Sequence, residues 1–483
     1  MARSPTNLVD EAGIALGNLT DAASGMFTPT LRLGVTGLSR AGKTIFITAL
    51  IHNLLTQARM PAFAPMAEGR LIGAQLAEHP DKAIPRFAYE QHLEALTGSE
   101  PFWPESTRRI SQIRLSLKYQ SADWLGGMFG PSQLNLDIVD YPGEWLLDLP
   151  LLSLSFREWS DQALARAERP GAQNEAKPFL DALAKIDTSA EAREPDAETL
   201  ASAFTLYLRD CRQDGKALST LPPGRFLLPG DMEGSPALTF APLHAPEGQV
   251  RKQSLYAMLE RRFEAYKDVV VRPFFRDHFA RLDRQIVLVD TLRALNAGSE
   301  AVADLETALT DILACFRAGS PNPIIRLVAK RIDRILFAAT KADHLHHSSH
   351  DRLETILNRL LANAARRARF AGAETRSVAL ASIRATSEDV IEENGEELNT
   401  IIGTPQKGER LGDQTYDGKT EIALFPGDLP QDPDDAFGDT PINLNFLRFL
   451  PPQQYAKSED GAIILPHIRL GRALDFLLGD RLK

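Results

Sequence analysis

The sequence predicts an α/β fold in which a mostly parallel sheet carries helices on both faces. Short apolar runs typical of buried strands, such as residues 31–35 and 334–339, alternate with amphipathic helical segments. The run at 31–35 also leads directly into a glycine-rich loop and then an apolar helix, IFITALIHNLL. This order of strand, loop and helix is typical of a doubly wound sheet that binds a ligand at the carboxyl ends of its strands.

The composition of the 483-residue chain is ordinary for a globular protein, with 43% hydrophobic and 24% charged residues. Wholesale disorder is therefore excluded, and the length allows about two to four domains. The net charge of -10 argues against a general role in coating nucleic acid, because a negative surface repels phosphate. The two cysteines suit a reducing compartment.

The sequence contains no uncharged apolar run of the ~18 residues needed to span a bilayer. We therefore expect a cytoplasmic protein without a transmembrane segment. Peripheral attachment to the inner membrane stays open.

The most informative segment is GLSRAGKT at residues 37–44, which matches the phosphate-binding pattern G-x-x-x-x-G-K-[ST] at every fixed position. Its glycines allow the tight turn that directs backbone N–H groups at phosphate oxygens, and the next helix adds its positive N-terminal end. The lysine supplies a cation to the β- and γ-phosphates and is a predicted catalytic residue, and the threonine hydroxyl can ligate Mg²⁺. The predicted nucleotide contacts are Gly37, Ser39, Arg40, Ala41, Gly42, Lys43, Thr44 and Ile45.

A second pattern, D-x-x-G at residues 140–143, directly follows a predicted strand at 134–139. In this position Asp140 would hold magnesium through water. The Gly143 N–H would contact the γ-phosphate and so sense whether that phosphate is present.

A third pattern, of the form [NT]-K-x-D, follows the predicted strand 334–339. Its aspartate can accept hydrogen bonds from both N1–H and the 2-amino group of guanine. Adenine lacks this pair of donors, so the pattern favours GTP over ATP. A further loop, after the predicted strand 377–381, would offer N–H groups to guanine O6. The predicted base contacts are Thr340, Lys341 and Asp343, with Ser382, Ile383 and Arg384 from that loop.

The segments GVTGLSRAGKT, DIVDYPGEW, QIVLVDTLRALNAG, ATKAD and SIRAT occur in this order, and with them the chain resembles the bacterial YcjX family of P-loop GTPases. The resemblance covers most of the chain. It implies a Ras-like G domain with a large helical insertion, binding of GTP or GDP, and a link to envelope stress.

Three further residues bear on catalysis. Glu144 stands where Ras-like enzymes usually place a water-orienting glutamine, and the sequence leaves open whether it acts as a base or repels the phosphate. Thr107 is the predicted switch threonine, and Ser106 is its rival. Arg40 either supplies a cation or faces solvent. The predicted magnesium ligands are Thr44, Thr107 and Asp140.

The motifs divide the chain into five expected segments. Amphipathic helical patterns without strand runs fill the insertion, which we expect to contact an unidentified protein effector, with a membrane protein as one candidate. The segments are an N-terminal lead (1–29), the first half of the G domain (30–149), the helical insertion (150–282), the second half of the G domain (283–390) and an irregular C-terminal extension (391–483).

The sequence thus predicts a guanine-nucleotide switch that hydrolyses GTP slowly. The alternative is a nucleotide-dependent scaffold with negligible turnover, which Glu144 favours, whereas Asp343 opposes an ATPase. Four histidines at 344, 346, 347 and 350 could bind a metal, but a solvated loop beside the base is the simpler interpretation.

Overall fold

The structure is a computed structural model whose described part excludes several short segments and the N-terminus. The described residues divide into two compact units, one within 1–142, 281–299 and 319–483 and the other within 143–280 and 300–318. The described residues are 28–37, 41–105, 109–122, 130–169, 172–211, 222–229, 232–315, 332–362, 373–393, 395–438, 442 and 444–483, without the side chains of Glu144, Gln173, residues 311–315, Glu393 and Glu396.

A seven-stranded sheet forms the centre of the first unit, in the order β2-β3-β4-β1-β5-β6-β7. Strands β4, β1, β5, β6 and β7 are mutually parallel, and β2 and β3 add an antiparallel edge. The strands are β1 Thr30–Gly37, β2 Leu71–Leu76, β3 Ser111–Tyr119, β4 Ser132–Asp140, β5 Arg284–Val289, β6 Arg334–Ala339, β7 Glu374–Ala379, β8 Ser387–Glu393, β9 Glu396–Gly403, β10 Arg410–Leu411, β11 Gln414–Thr415 and β12 Ile422–Leu424.

The sequence explains this layout. β5 is buried at all six positions and β6 at five of its six, as expected for parallel strands covered on both faces. The structure therefore confirms the predicted α/β class, including the antiparallel pair β3–β4. Strand β2 lies in a segment that the sequence left unassigned, and it is a short, half-exposed edge strand whose pattern is weak.

The register of the parallel strands brings their carboxyl ends to one edge of the sheet. Val35 of β1 pairs with Asp140 of β4, and Gly37 pairs with Leu288 of β5. The motif-bearing loops after β1, β4, β6 and β7 all leave from this edge. An α/β sheet of this kind binds its ligand there.

Twelve helices accompany the strands in the described part of the chain, together with an irregular helical turn at Gly143–Ser153 and a π-helical segment at Lys267–Val271. The helices are α1 Lys43–Leu55, α2 Ala64–Ala67, α3 Tyr89–Thr97, α4 Phe156–Ala167, α5 Gln173–Leu183, α6 Glu194–Asp210, α7 Leu255–Tyr266, α8 Arg272–Asp277, α9 Thr291–Ala297, α10 Ser299–Cys315, α11 His350–Leu360 and α12 Leu470–Leu478. None of the described helices has the length and apolar character needed to cross a bilayer.

One face of the sheet packs against α1 and α12, whose apolar side chains join a single buried cluster with the strands. Helix α12 thus belongs to the core of the first unit, although the sequence placed it in an irregular extension. The wholly buried Arg284 of β5 forms an ion pair of 2.5 Å with Asp480, just after the C-terminal end of α12. It also pairs with Asp333, just before β6, at 3.0 Å. A three-stranded antiparallel sheet, β12-β9-β8, forms a separate small layer with its own core.

The second unit consists of helices and loops, with no named strand among its described residues. Helix α4 begins with a capping box, in which Ser155 and Glu158 satisfy each other's backbone N–H groups. Its Trp159 stacks on Phe263 of α7 with ring centroids 5.1 Å apart, and Phe240 packs edge-on against both rings. Residues 300–318 group with this unit, whereas the strand–helix alternation around them suggested the second half of the G domain.

A buried carboxylate lies inside the second unit. Asp148 is 2% exposed and accepts hydrogen bonds from Tyr266 Oη at 2.7 Å and Gly224 N at 2.7 Å. Burial raises the pKa of the Asp148 carboxyl to about 6, although the hydrogen bonds from Tyr266 and Gly224 lower it in part.

We expect this raised pKa to make the second unit less stable as pH rises. A carboxyl with a folded pKa above its unfolded value of about 3.9 stabilises the fold fully below that value and loses this contribution as pH rises through about 6. The loss is on the order of 3 kcal/mol, since one pKa unit corresponds to about 1.4 kcal/mol. Urea denaturation between pH 4 and 8 should show it, and Asp148→Asn should flatten the profile. The exposed Asp161→Asn is the control; a flat wild-type profile would contradict the prediction.

Candidate functional site

The first part of the site is the turn between β1 and α1, where two glycines are required for different reasons. Gly37 has φ 154°, and a Cβ on it would lie 2.5 Å from the carbonyl oxygen of Leu288 on the neighbouring strand. Gly42 has φ 85°, a left-handed conformation, and precedes the first helical residue. The backbone of the loop therefore depends on both glycines of the G-x-x-x-x-G-K-[ST] pattern.

The polar side chains of this turn lie inward. Lys43 is 8% exposed, and its Nζ donates a hydrogen bond to Gly37 O at 3.0 Å, across the turn. Thr44 is 6% exposed on the first turn of α1, next to Ile45, which packs in part against a small apolar cluster. Ala41 is buried. The arrangement places a confined ammonium and a hydroxyl at a helix N-terminus, a combination suited to phosphate.

The second part of the site is the end of β4. Asp140 is 1% exposed and is the last residue of the strand adjacent to β1. Tyr141 follows it, is fully buried and donates a hydrogen bond to Gln285 Oε1 at 3.1 Å. Gln285 in turn donates to Gly34 O at 2.8 Å, so β1 and β5 together hold the start of the D-x-x-G segment.

The remainder of the D-x-x-G segment leaves the sheet and enters the second unit. Gly143 is the first residue of the second unit and begins the helical turn Gly143–Ser153. The backbone of Glu144 belongs to the same turn. Four predicted or rival site residues, and the Glu144 side chain, lie outside the described part of the chain; the residues are Ser39, Arg40, Ser106 and Thr107.

The third part of the site is the loop after β6. Thr340 is 5% exposed, and its N–H donates to Val289 O at 2.9 Å. Lys341 has the left-handed φ of 62°, and its Nζ lies 2.5 Å from the carboxylate of Asp290, which follows β5. The ammonium is thereby held beside the loop, and its stem is fixed in direction.

Asp343 is the residue on which guanine selection would depend. It is 4% exposed, and its Oδ2 accepts a hydrogen bond from the N–H of Ala385 at 2.9 Å. Its backbone carbonyl also accepts a hydrogen bond from the Thr386 hydroxyl. The T-K-A-D and S-I-R-A-T segments therefore meet directly.

The predicted loop residues Ser382, Ile383 and Arg384 lie in this second segment, after β7. Ile383 is 4% exposed, and the Arg384 N–H donates to Pro466 O at 2.7 Å. The loop is thus held from the side of the C-terminal segment, and Ala385, the residue that follows it, donates its N–H to Asp343.

Several neighbours of the site were not identified from the sequence. Asp290 and Gln285 act through contacts between strands, and Ala385 through a contact between loops. The ring of Phe446, from the C-terminal segment, has its centroid 5.7 Å from Lys341 Nζ. Of these residues, only Asp290 could have been found from the sequence, because it stands at the end of a predicted strand and ligand sites gather at the carboxyl ends of parallel strands.

Mg²⁺ is the metal that the phosphate motif implies, and the donor set fits it. Thr44 offers a hydroxyl and Asp140 a carboxylate, both buried, from adjacent elements at the carboxyl edge of the sheet. Mg²⁺ prefers oxygen ligands and usually binds through one or two carboxylates, keeping several waters and contacting nucleotide phosphates.

A parallel sheet with an antiparallel edge, a glycine turn leading into α1, and four motif loops at one edge define the class of Ras-like P-loop G domains, here with a large helical insertion. Within that class, the chain belongs to the YcjX-like family, DUF463, whose sequence model matches residues 31–482.

Curated relatives cover nearly the whole chain. One from Escherichia coli (strain K12), named Ras-like GTPase YcjX, is 40% identical over 465 residues, which are 94% of this chain and 96% of the relative. Another of the same name, from Shewanella oneidensis (strain MR-1), is 36% identical over 473 residues, which are 94% of this chain and 95% of the relative. Both names agree with the class that the fold defines.

Proposed function

We propose that this chain binds GTP and GDP at the carboxyl edge of its sheet and hydrolyses GTP slowly to GDP and phosphate, as a switch-type regulator. The observation that carries the proposal is the buried Asp343 carboxylate, held by the Ala385 N–H at the edge that also bears Lys43. Candidate residues for the recognition of guanine and of phosphate thus lie at the same edge of the sheet. The names of the curated relatives support the same activity.

The proposed binding roles follow from the chemistry of each loop. Backbone N–H groups of the glycine turn and the Lys43 ammonium bind the phosphates, while Asp343 accepts hydrogen bonds from guanine and the Lys341 stem packs along the base. The S-I-R-A-T loop offers N–H groups to guanine O6. The remaining proposed nucleotide contacts are Gly37, Ser39, Arg40, Ala41, Gly42, Thr44, Ile45, Thr340, Ser382, Ile383 and Arg384.

The proposed catalytic residues act on the γ-phosphate. Lys43 neutralises charge that develops on the transferring phosphoryl group, Glu144 stands at the position of the residue that orients the attacking water, and Thr107 completes the magnesium shell. Thr44, Thr107 and Asp140 would hold Mg²⁺, which would neutralise phosphate charge during the transfer. Gly143 would sense the γ-phosphate through its N–H.

The regulatory part of the proposal concerns the second unit, which begins at Gly143 itself. A loop that responds to the γ-phosphate is therefore continuous in sequence with the helical insertion, and order changes in such loops are a common switching device. We propose that the insertion contacts a protein effector in the cytoplasm or at the inner membrane. The link to envelope stress rests on the family resemblance.

We expect slow intrinsic turnover that rises with a partner or with self-association. Glu144 replaces the usual glutamine, and an ionised carboxylate near an anionic phosphate repels it. A stabilising arginine supplied in trans is worth about 10³–10⁵ in rate. Phosphate release by pure protein across a concentration series, with Lys43→Ala as the blank, measures this.

The same assay distinguishes the alternatives. Turnover of several per second that does not depend on concentration would contradict the prediction, because the site would then be complete in one chain. Binding without turnover above the Lys43→Ala blank would instead favour the nucleotide-dependent scaffold. Faster hydrolysis by Glu144→Gln would show that the carboxylate slows the reaction. Loss of hydrolysis in the same variant would identify Glu144 as a catalytic residue.

A further inference from the structure

The structure separates the four histidines that follow the T-K-A-D loop into two pairs. His344 lies between the rings of Phe446 and Phe449, with centroids 5.3 and 5.4 Å away. His350 is 4% exposed, and its Nε2 lies 2.8 Å from Ala342 O, within reach of a hydrogen bond. Aromatic neighbours thus surround the first of these rings, and a backbone carbonyl lies against the second.

The other two rings converge on one carboxylate that the sequence did not connect with them. His347 Nδ1 lies 2.6 Å from Glu388 Oε2, and His346 Nε2 lies 3.8 Å from the same oxygen. The two rings have centroids 4.1 Å apart. One ligand atom from each of the three residues lies within 4.8 Å of the others.

Two neighbours hold these groups in place. Ser348 Oγ lies 2.9 Å from His346 Nδ1, the ring nitrogen opposite to the one that faces Glu388. Arg384 Nη2 lies 3.0 Å from Glu388 Oε1, so the second carboxylate oxygen is already occupied and Oε2 is left to the histidines. The Ser348 backbone N–H also approaches this nitrogen of His346, at 3.4 Å. Metal binding at Nε2 would move the ring proton to Nδ1, where the Ser348 hydroxyl can accept it, as is common for metal-bound histidines.

An ion pair alone explains this arrangement poorly. A single protonated histidine would satisfy Glu388, and two imidazolium rings in contact would repel each other. A metal ion would instead give both rings and the carboxylate one shared partner. Neutral imidazole and carboxylate are ligands that Zn²⁺ and its neighbours in the transition series prefer.

We infer that His346, His347 and Glu388 form a binding site for a divalent transition metal of the Zn²⁺ type, distinct from the proposed Mg²⁺ site. Bonds of about 2.0–2.1 Å in a tetrahedron place ligand atoms about 3.3 Å apart. Two of the present separations, 2.6 and 3.8 Å, bracket that value, and all three ligand atoms lie within 4.8 Å of one another, so side-chain adjustments of about 1.5 Å or less suffice. Three protein ligands leave a fourth position for water, and the exposed edge at His347 admits the metal.

The site would join the two loops that meet at Asp343. His346 and His347 follow the T-K-A-D loop, and Glu388 lies on β8, directly after the S-I-R-A-T loop. A metal bridging them would hold the Asp343–Ala385 contact closed. This coupling rests on the proposed function. We expect bound metal to slow GDP release severalfold, because release requires these loops to separate.

Cobalt binding to the full chain tests the site itself. Co²⁺ is titrated with excess Mg²⁺ present to occupy the other site, and its visible spectrum reports nitrogen and oxygen ligands without a thiolate band. We expect one equivalent, displaced by Zn²⁺, with at least about 10-fold weaker binding in His347→Gln and in Glu388→Gln. His347 is exposed, so its variant keeps the fold, as circular dichroism would verify.

The control is His244→Gln, which removes an exposed histidine lying 3.9 Å from Glu168 in the second unit. It should bind cobalt like the wild type. Failure of the wild type to bind an equivalent, or equal binding by His347→Gln, would overturn the site whatever the nucleotide results. If cobalt binds but GDP release is unchanged, the metal site holds and its coupling to the nucleotide is wrong.

Discussion

Replacement of Lys43 by alanine is expected to lower the affinity for GDP and GTP by about 3 kcal/mol, or on the order of 100-fold. The ammonium is confined across the glycine turn by its 3.0 Å hydrogen bond to Gly37 O, so it contacts phosphate without a large entropy loss. Titration with fluorescent GDP measures the change. Hydrolysis should fall to background, since the same cation stabilises the transferring phosphoryl group.

Lys118→Ala is the matched control, because it removes an exposed lysine from β3 of the same unit. It should bind GDP normally. Unchanged affinity in a folded Lys43→Ala variant would remove the phosphate-binding assignment of the whole turn.

The second large effect is expected at Asp343. Asparagine keeps an oxygen that can accept the Ala385 N–H, so the loop contact survives. Its amide nitrogen can donate to the 2-carbonyl of xanthine, but that nitrogen cannot accept from the 2-amino group of guanine. We expect the affinity for GDP to fall about 10–100-fold, because hydrogen bonds to charged groups contribute about 1.5–3 kcal/mol. The affinity for xanthosine diphosphate (XDP) should rise.

Competition of GDP and XDP against a fluorescent nucleotide reads out this exchange. Asp351→Asn serves as control, since Asp351 is exposed, eight residues further on, and pairs with Arg469. If Asp343→Asn and the wild type prefer GDP equally, then Asp343 is a structural residue of the loop and the guanine assignment is wrong.

Local patterns of the sequence carried the fold class and the phosphate turn. The glycines at 37 and 42 are separated by five positions, and the backbone they require is set by the adjacent strand and helix. The strands β5 and β6 are recognisable because burial on both faces demands continuous apolar runs. Each of these features can be read from a short window of residues.

Contacts between distant segments could not be predicted in this way. Gln285 reaches Tyr141 across 144 positions, and Ala385 reaches Asp343 across 42. Glu388 meets His347 across 41 positions, so from the histidines alone a solvated loop was a simpler interpretation than a metal site. The grouping of residues 300–318 with the second unit likewise depends on tertiary packing, which no periodicity of that helix encodes.

The central claim is that this chain carries a guanine-nucleotide site at the carboxyl edge of its sheet. Calorimetric titration of the purified chain with GDP and with ADP, both with Mg²⁺, tests it most directly. The account predicts one equivalent of GDP bound and at least about 100-fold weaker binding of ADP, because adenine has no donor pair for the Asp343 carboxylate. Binding of ADP as tight as that of GDP, or no binding of either, would contradict it.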